Sequence, residues 1–196
     1  QKLFAPDSGP QKFALAIKSF QILPLHLVQL ATGVIPWIEV ICGSMFSGKS
    51  TAAHRYVSRA LRARKTIDVV VPRRDTRSSG QIVTHGGLSL ASLGVTPRVV
   101  DSSYEILSGL PAKTTSSLID EGQFFDTLLP DTVLELLIRG IEVVVAGLDM
   151  TSEGHTFGPM GDLMAMANRV EKITAICSCG AEATRTLFRG QKIETV

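Results

Sequence analysis

The run Gly43-Ser44-Met45-Phe46-Ser47-Gly48-Lys49-Ser50 satisfies the pattern G-x-x-x-x-G-K-[ST] at every required position. A β-branched run, Ile38 to Cys42, precedes it, and a stretch that reads as helix from Lys49 to about Arg64 follows. That context is what binds phosphate: glycines let backbone N–H groups turn inward, and the start of the helix adds a partial positive charge at the same point. Lys49 would reach the β and γ phosphates, and the Ser50 hydroxyl would ligate the magnesium ion that bridges them. Gly43, Ser44, Met45, Phe46, Ser47, Gly48, Lys49, Ser50 and Thr51 therefore form the candidate nucleotide-binding segment.

A second signal lies about seventy residues downstream, where the apolar run Ser117-Leu118-Ile119 ends in the adjacent carboxylates Asp120 and Glu121, followed by Gly122-Gln123-Phe124-Phe125. The end of a strand carries the next residues out over a bound nucleotide. In a phosphate-loop protein an Asp at this place holds magnesium, and a neighbouring Glu can orient or deprotonate the attacking group. Asp120 is thus the candidate metal-side residue and Glu121 the candidate general base. A strand that merely stops at two solvated acids is the bland alternative.

The rest of the chain from Ile38 onward alternates short β-branched runs with helical stretches, which is α/β patterning. Strands are expected at Ile38 to Cys42, Ile67 to Val71, Pro97 to Val100, Ser117 to Asp120 and Glu142 to Ala146. Helices are expected from Lys49 to about Arg64 and from about Pro130 to Arg139. Unbroken runs such as Val143-Val144-Val145 suit strands buried on both faces of a parallel sheet. The stretch from Arg73 to Gly94 has no clear period and reads as a long loop.

Composition removes several classes. With 196 residues there is room for one ordinary domain and a small appendage. Hydrophobic residues at 44% against 19% charged exclude an extended disordered chain. A formal net charge of +2 leaves no global footprint for nucleic acid or acidic lipid. Three cysteines argue for a reducing compartment rather than a disulfide scaffold. Phe13 to Trp37 is apolar in bulk, but Pro24, Gly33, Pro36, Gln21, His26 and Gln29 break it up, so residues 1–36 read as an extension rather than a span. The basic run Arg55, Arg59, Arg62, Arg64 and Lys65 reads as a solvated helix face.

Taken in order, the loop at Met45 to Ser50, Asp75-Thr76-Arg77 followed by His85, the run Asp120 to Phe125, Gly147-Leu148-Asp149, Phe157-Gly158-Pro159 and Cys177 to Thr186 resemble the thymidine kinases of animal cytosol and many bacteria over about residues 38 to 190. The resemblance implies transfer of the γ-phosphoryl of ATP to the 5′-hydroxyl of thymidine or deoxyuridine, with Glu121 as the base that accepts the hydroxyl proton. It implies that Met45 and Leu148 line a thymine pocket, that Phe124 packs on the base and that Thr186 approaches the pyrimidine. Apolar and aromatic walls suit a flat ring. Arg77 is implied near the phosphates, where a guanidinium fork suits phosphoryl oxygens. The resemblance further implies a cytoplasmic homotetramer inhibited by thymidine triphosphate, with no nucleic acid or membrane partner. The expected fold is α/β with a mainly parallel, RecA-like phosphate-loop sheet over 37–172, preceded by the 1–36 extension. A small incomplete zinc-ribbon-like segment is expected over 173–196.

Three departures qualify that resemblance. Where members often carry Asp-Phe-Arg after Gly-Leu-Asp, this chain has Thr151-Ser152-Glu153, so a stacking contact is expected to be missing or supplied elsewhere. Cys177 and Cys179 match only half of the family's zinc site, and no Cys or His follows them, whereas a closed zinc site needs four ligands. The family's thymidine-covering loop lies beyond the equivalent of residue 196, which predicts an open nucleoside site and poor turnover. Two alternatives stay open on the sequence: a RecA-like ATPase stimulated by nucleic acid, in which Glu121 activates water, and a shortened non-catalytic nucleotide-binding relative.

Overall fold

The computed structural model describes residues 37–74 and 89–187. The extension at 1–36 and the stretch containing Arg77 and His85 lie outside the described residues, as do residues 188–196. Six strands form one sheet: β1 (Ile38–Gly43), β2 (Ile67–Pro72), β3 (Arg98–Val100), β4 (Ser116–Ile119), β5 (Glu142–Gly147) and β6 (Arg169–Ile173). Their order is β3-β2-β4-β5-β1-β6, and each adjacent pair is parallel. The strand feeding the phosphate loop and the strand ending at Asp120 are thus separated by one strand, β5, which is the RecA-like arrangement.

Among the described residues four helices cover the sheet: α1 (Lys49–Arg62), α2 (Ser103–Ser108), α3 (Leu129–Ile138) and α4 (Met160–Met166). Alternation along each strand sends neighbouring side chains to opposite faces, and two cores result. On one face Ile41, Val69, Leu118 and Val144 meet Ala52, Ala53 and Val57 of α1. The small alanines let that helix lie close to the sheet. On the other face Val40, Val70, Ile119, Val143 and Val145 meet Leu129, Val133 and Leu136 of α3 and Met160 and Leu163 of α4. Each fully buried aliphatic side chain contributes roughly 1.5–3 kcal/mol. Covering on both faces explains why the strands read as continuous apolar runs.

The five strands expected from sequence are present with ends shifted by at most a residue, and α1 and α3 stand where the two helices were expected. Leu90–Leu93, inside the stretch read as loop, forms a short 3-10 turn. After Ile173 comes an antiparallel hairpin of two-residue strands, β7 (Ala175–Ile176) and β8 (Glu182–Ala183). Among the described residues no helix is long and apolar enough to cross a membrane.

The basic face of α1 is solvated as expected, with Arg55, Arg59 and Arg62 exposed, as is Arg64 just beyond the helix. Arg55 pairs with Glu171 of β6 at 3.6 Å, and Lys65 pairs with Glu142 of β5. These carboxylates balance the basic run locally.

Candidate nucleotide site

The carboxyl ends of β1, β4 and β5 converge at one edge of the sheet, the position at which open α/β sheets bind ligands. Gly43 leaves β1 at φ +142, and a Cβ there would fall 1.8 Å from the carbonyl oxygen of Ile173. Only glycine lets the loop depart this close to β6. Phe46 takes a left-handed φ of 63 and Gly48 a φ of 96, so the loop reverses twice before α1 begins. No side chain caps α1 and no acidic residue sits in its first turn. The start of the helix therefore keeps its positive end facing the loop. Lys49 Nζ curls back to the carbonyl oxygens of Ser44 at 2.7 Å and Gly43 at 3.1 Å, which holds its charge over the loop.

Asp120 leaves β4 with its N–H donating to Val70 O at 2.9 Å, and its Oδ1 accepts the N–H of Glu121 at 2.9 Å. With β5 between them and strands about 4.8 Å apart, β4 lies roughly 10 Å from β1 across the sheet. Glu121 is itself left-handed, at φ 50 and ψ 44. A non-glycine residue there carries a cost, of the kind that collects at functional positions. Its carboxylate accepts a hydrogen bond from the amide of Gln123, which is 3% exposed. The other amide atom, Oε1, accepts the Leu148 N–H at 2.9 Å. No local pattern marks Gln123, because its contact with Leu148 reaches a residue 25 positions away.

The residues expected around a nucleobase fall into two groups. Met45 N–H donates to Thr186 Oγ1 at 2.9 Å, and Ser44 Oγ donates to Ala183 O at 2.7 Å, so the chain after β8 is fastened onto the phosphate loop. Leu148 and Phe124 form the second group, on either side of Gln123. Phe124 meets Phe157 edge-on, with ring centroids 5.8 Å apart and planes at 84°. Phe157 is in turn held by its N–H to Asp149 O at 3.0 Å. Sequence reasoning had placed Phe157 in a motif without seeing this aromatic pair. Next to Thr186, Arg185 lies over the turn after β5, where a Cβ on Gly154 would meet its guanidinium at 2.8 Å. Ser50 and Thr51 stand in the first turn of α1, and Arg77 lies outside the described residues.

Behind the loop lies a charged layer that the sequence did not reveal. Asp149, 1% exposed, pairs with Lys172 of β6 at 2.7 Å, and that contact raises the pKa of the lysine. The buried Cys42 thiol sits beside them, 3.6 Å from Met164 Sδ. Burial first, and then the Asp149 charge, push the Cys42 thiol from 9.0 to about 11. A thiol with a raised folded-state pKa stabilises the fold fully below pH 9 and loses that contribution as pH rises through 11. Cys42→Ala should therefore show a smaller drop in melting temperature between pH 9 and 11 than the parent. Equal drops in the two proteins would show that this thiol does not contribute.

Cys177 and Cys179 are exposed at the tip of the β7–β8 hairpin. The turn closes by Gly180 N–H to Cys177 O and Cys177 N–H to Ala181 O, both at 2.8 Å. The backbone N–H of Cys179, then its thiol and the Ser178 hydroxyl, lower the Cys177 pKa. This geometry favours thiolate, yet among the described residues no group of three or more His, Cys, Asp or Glu could hold a metal ion. The donor set is two ligands short of a closed zinc site.

The family model described as thymidine kinase matches residues 36–196. The thymidine kinase of Bacteroides fragilis is 45% identical over 149 residues, covering 75% of this chain and 72% of its own length. That of Bacteroides thetaiotaomicron is 46% identical over 145 residues, covering 73% of this chain and 70% of its own. Among solved structures, the Pif1 helicase from Candida albicans covers 79% of this chain and 40% of its own, with a TM-score of 0.39 and 15% identity, a likeness too slight to inform the site.

Proposed function

The chain belongs to the thymidine kinase family, and from that premise we propose that it transfers the γ-phosphoryl group of ATP to the 5′-hydroxyl of thymidine, with deoxyuridine as a second acceptor. The observation that carries this reading is the pairing of a phosphate loop with a strained, amide-anchored Glu121 at the end of the strand two places away. Membership in this family leaves the motor-ATPase alternative without support.

In this mechanism the loop N–H groups and the start of α1 hold the triphosphate, and Lys49 moves from the Gly43 and Ser44 carbonyls onto the β and γ oxygens. Such transfer has a loose transition state, so positioning and charge supply most of the acceleration. Ser50 and Asp120 have the oxygen donors and the placement to hold magnesium, which when bound would offset charge on the phosphates. Glu121 takes the proton from the 5′-hydroxyl as that oxygen attacks. Met45 and Thr186 from one side, and Leu148 and Phe124 from the other, enclose the base. Phe157, packed on Phe124, supports the aromatic wall in place of the family's absent stacking residue.

Cys177 and Cys179 would supply two thiolates of a zinc site, which is not complete among the described residues. Cytoplasmic placement and a homotetramer, inhibited by thymidine triphosphate, follow as proposals from family membership.

The deciding measurement is ADP release from ATP and magnesium with and without thymidine. Release that depends on thymidine is expected. Tight ATP binding with no thymidine-dependent release would overturn the kinase reading and favour a non-catalytic nucleotide-binding protein.

A further inference from the structure

Resting on the kinase reading, we propose that Gln123 is a positioning residue for phosphoryl transfer, using its two amide atoms to lock the Glu121 carboxylate to the backbone of Leu148. The general base and the wall of the nucleoside pocket are thereby held at one spacing.

The chemistry fixes which atom faces which partner. The Leu148 N–H can only donate, so the amide atom 2.9 Å from it is the oxygen. The amide nitrogen must then face Glu121 Oε2, where it donates to an acceptor. Both ends are satisfied in a single orientation, and the flipped amide would set donor against donor and oxygen against oxygen. The surroundings leave the side chain no other seat. A Cβ on Gly147 would come within 2.5 Å of the Gln123 amide oxygen, and one on Gly158, at φ +53, within 2.4 Å of its carbonyl oxygen. A Cβ on the intervening Gly122 would meet Val145 Cγ1 at 2.7 Å. Gly147 therefore makes room for the amide and Gly158 for the backbone of a glutamine that is 3% exposed. The link spans β4 to β5, so it relates two strand ends rather than two neighbours in the chain.

A carboxylate that must meet a hydroxyl proton within hydrogen-bond reach is sensitive to its angle, and a displacement of about 1 Å can cost roughly 10²-fold in rate. Glu121 already sits in a left-handed conformation. The amide clamp supplies an interaction that keeps its side chain in one direction.

The two amide atoms can be separated by substitution. Gln123→Glu keeps an oxygen for the Leu148 N–H and sets a second carboxylate against Glu121, so the base loses the amide donor and gains a like charge or a shared proton while the Leu148 contact stays. It should lower kcat roughly 10- to 100-fold while the thymidine KM stays within about twofold. Gln123→Met removes both contacts and should lower kcat similarly and raise the thymidine KM severalfold. Rates are taken per ATP-binding site, titrated with a fluorescent ATP analogue, and melting temperatures are measured alongside. If Gln123→Glu does not fold, the kcat of Gln123→Met per competent site decides. A kcat per competent site equal to the parent in the folded variants, with only stability reduced, would overturn the positioning role and leave Gln123 as packing. Absence of thymidine-dependent turnover in the parent would instead overturn the kinase reading, and this proposal with it.

Discussion

Glu121→Gln is expected to lower thymidine-dependent ADP release by roughly 10²- to 10⁴-fold, the usual worth of a general base, while ATP affinity stays within about twofold. An amide matches the carboxylate in shape but cannot accept the proton released as the 5′-hydroxyl attacks. The loss, about 3–5 kcal/mol of transition-state stabilisation, should fall on kcat rather than on the thymidine KM. The left-handed backbone at Glu121 is unchanged by the substitution, because glutamine meets the same strain as glutamate. Stability should therefore move little, which separates this loss from misfolding. Lys49→Met should differ in kind, weakening ATP binding itself, since the loop carbonyls of Gly43 and Ser44 hold its ammonium where the phosphates are proposed to bind. Retention of more than a tenth of the parent rate in Glu121→Gln would remove Glu121 as the base.

What the sequence disclosed and what it hid follow from the range of each interaction. The phosphate loop was legible because its glycines, lysine and serine are contiguous and its chemistry is local. β1, β2, β4 and β5 were legible because burial on both faces leaves short apolar runs such as Val69 to Val71 and Val143 to Ala146, interrupted only by single residues such as Glu39 and Asp68 or preceded by small serines. β6 was not, since Arg169-Val170-Glu171-Lys172-Ile173 is an edge strand whose charged residues guard it against pairing, and charge hides the pattern. α2 and α4, at six and seven residues, are too short to display a helical period. Of the site, Glu121 could be named from its neighbour and its place after a strand, but the clamp from Gln123 to Leu148 could not. The contact of Thr186 with Met45 joins residues 141 apart. Only resemblance to a family could have proposed it, because no local pattern connects the two.

Arg98→Met is expected to cost about 3–5 kcal/mol of folding stability. Arg98 stands on β3, at the far edge of the sheet from the phosphate loop. Its Nη2 donates to Asp68 Oδ2 at 2.8 Å and its Nε to Oδ1 at 3.3 Å. Nη1 and Nη2 also donate to the carbonyls of Glu105 and Ile106 in the last turn of α2, at 2.9 and 3.0 Å. One guanidinium thus closes three elements, and Gly109 keeps the space beside it open, since a Cβ there would fall 2.6 Å from Nη1. Removing it strands a carboxylate that is 5% exposed on β2, and takes a donor from two helix carbonyls. For a domain of this size each kcal/mol moves the midpoint by about 2–4 °C, so the melting temperature should fall by roughly 6–20 °C. Adding Asp68→Leu to Arg98→Met removes the stranded charge and should recover a large part of the loss, though not the part owed to the α2 carbonyls. Because β2, β4 and β5 separate β3 from β1, thymidine-dependent kcat per folded molecule should match the parent in both variants. A loss under about 1 kcal/mol for Arg98→Met would mean that the pair behaves as a solvated surface contact. No recovery in the double variant would assign the cost to the carbonyls and the packing of β3 instead of to the buried carboxylate.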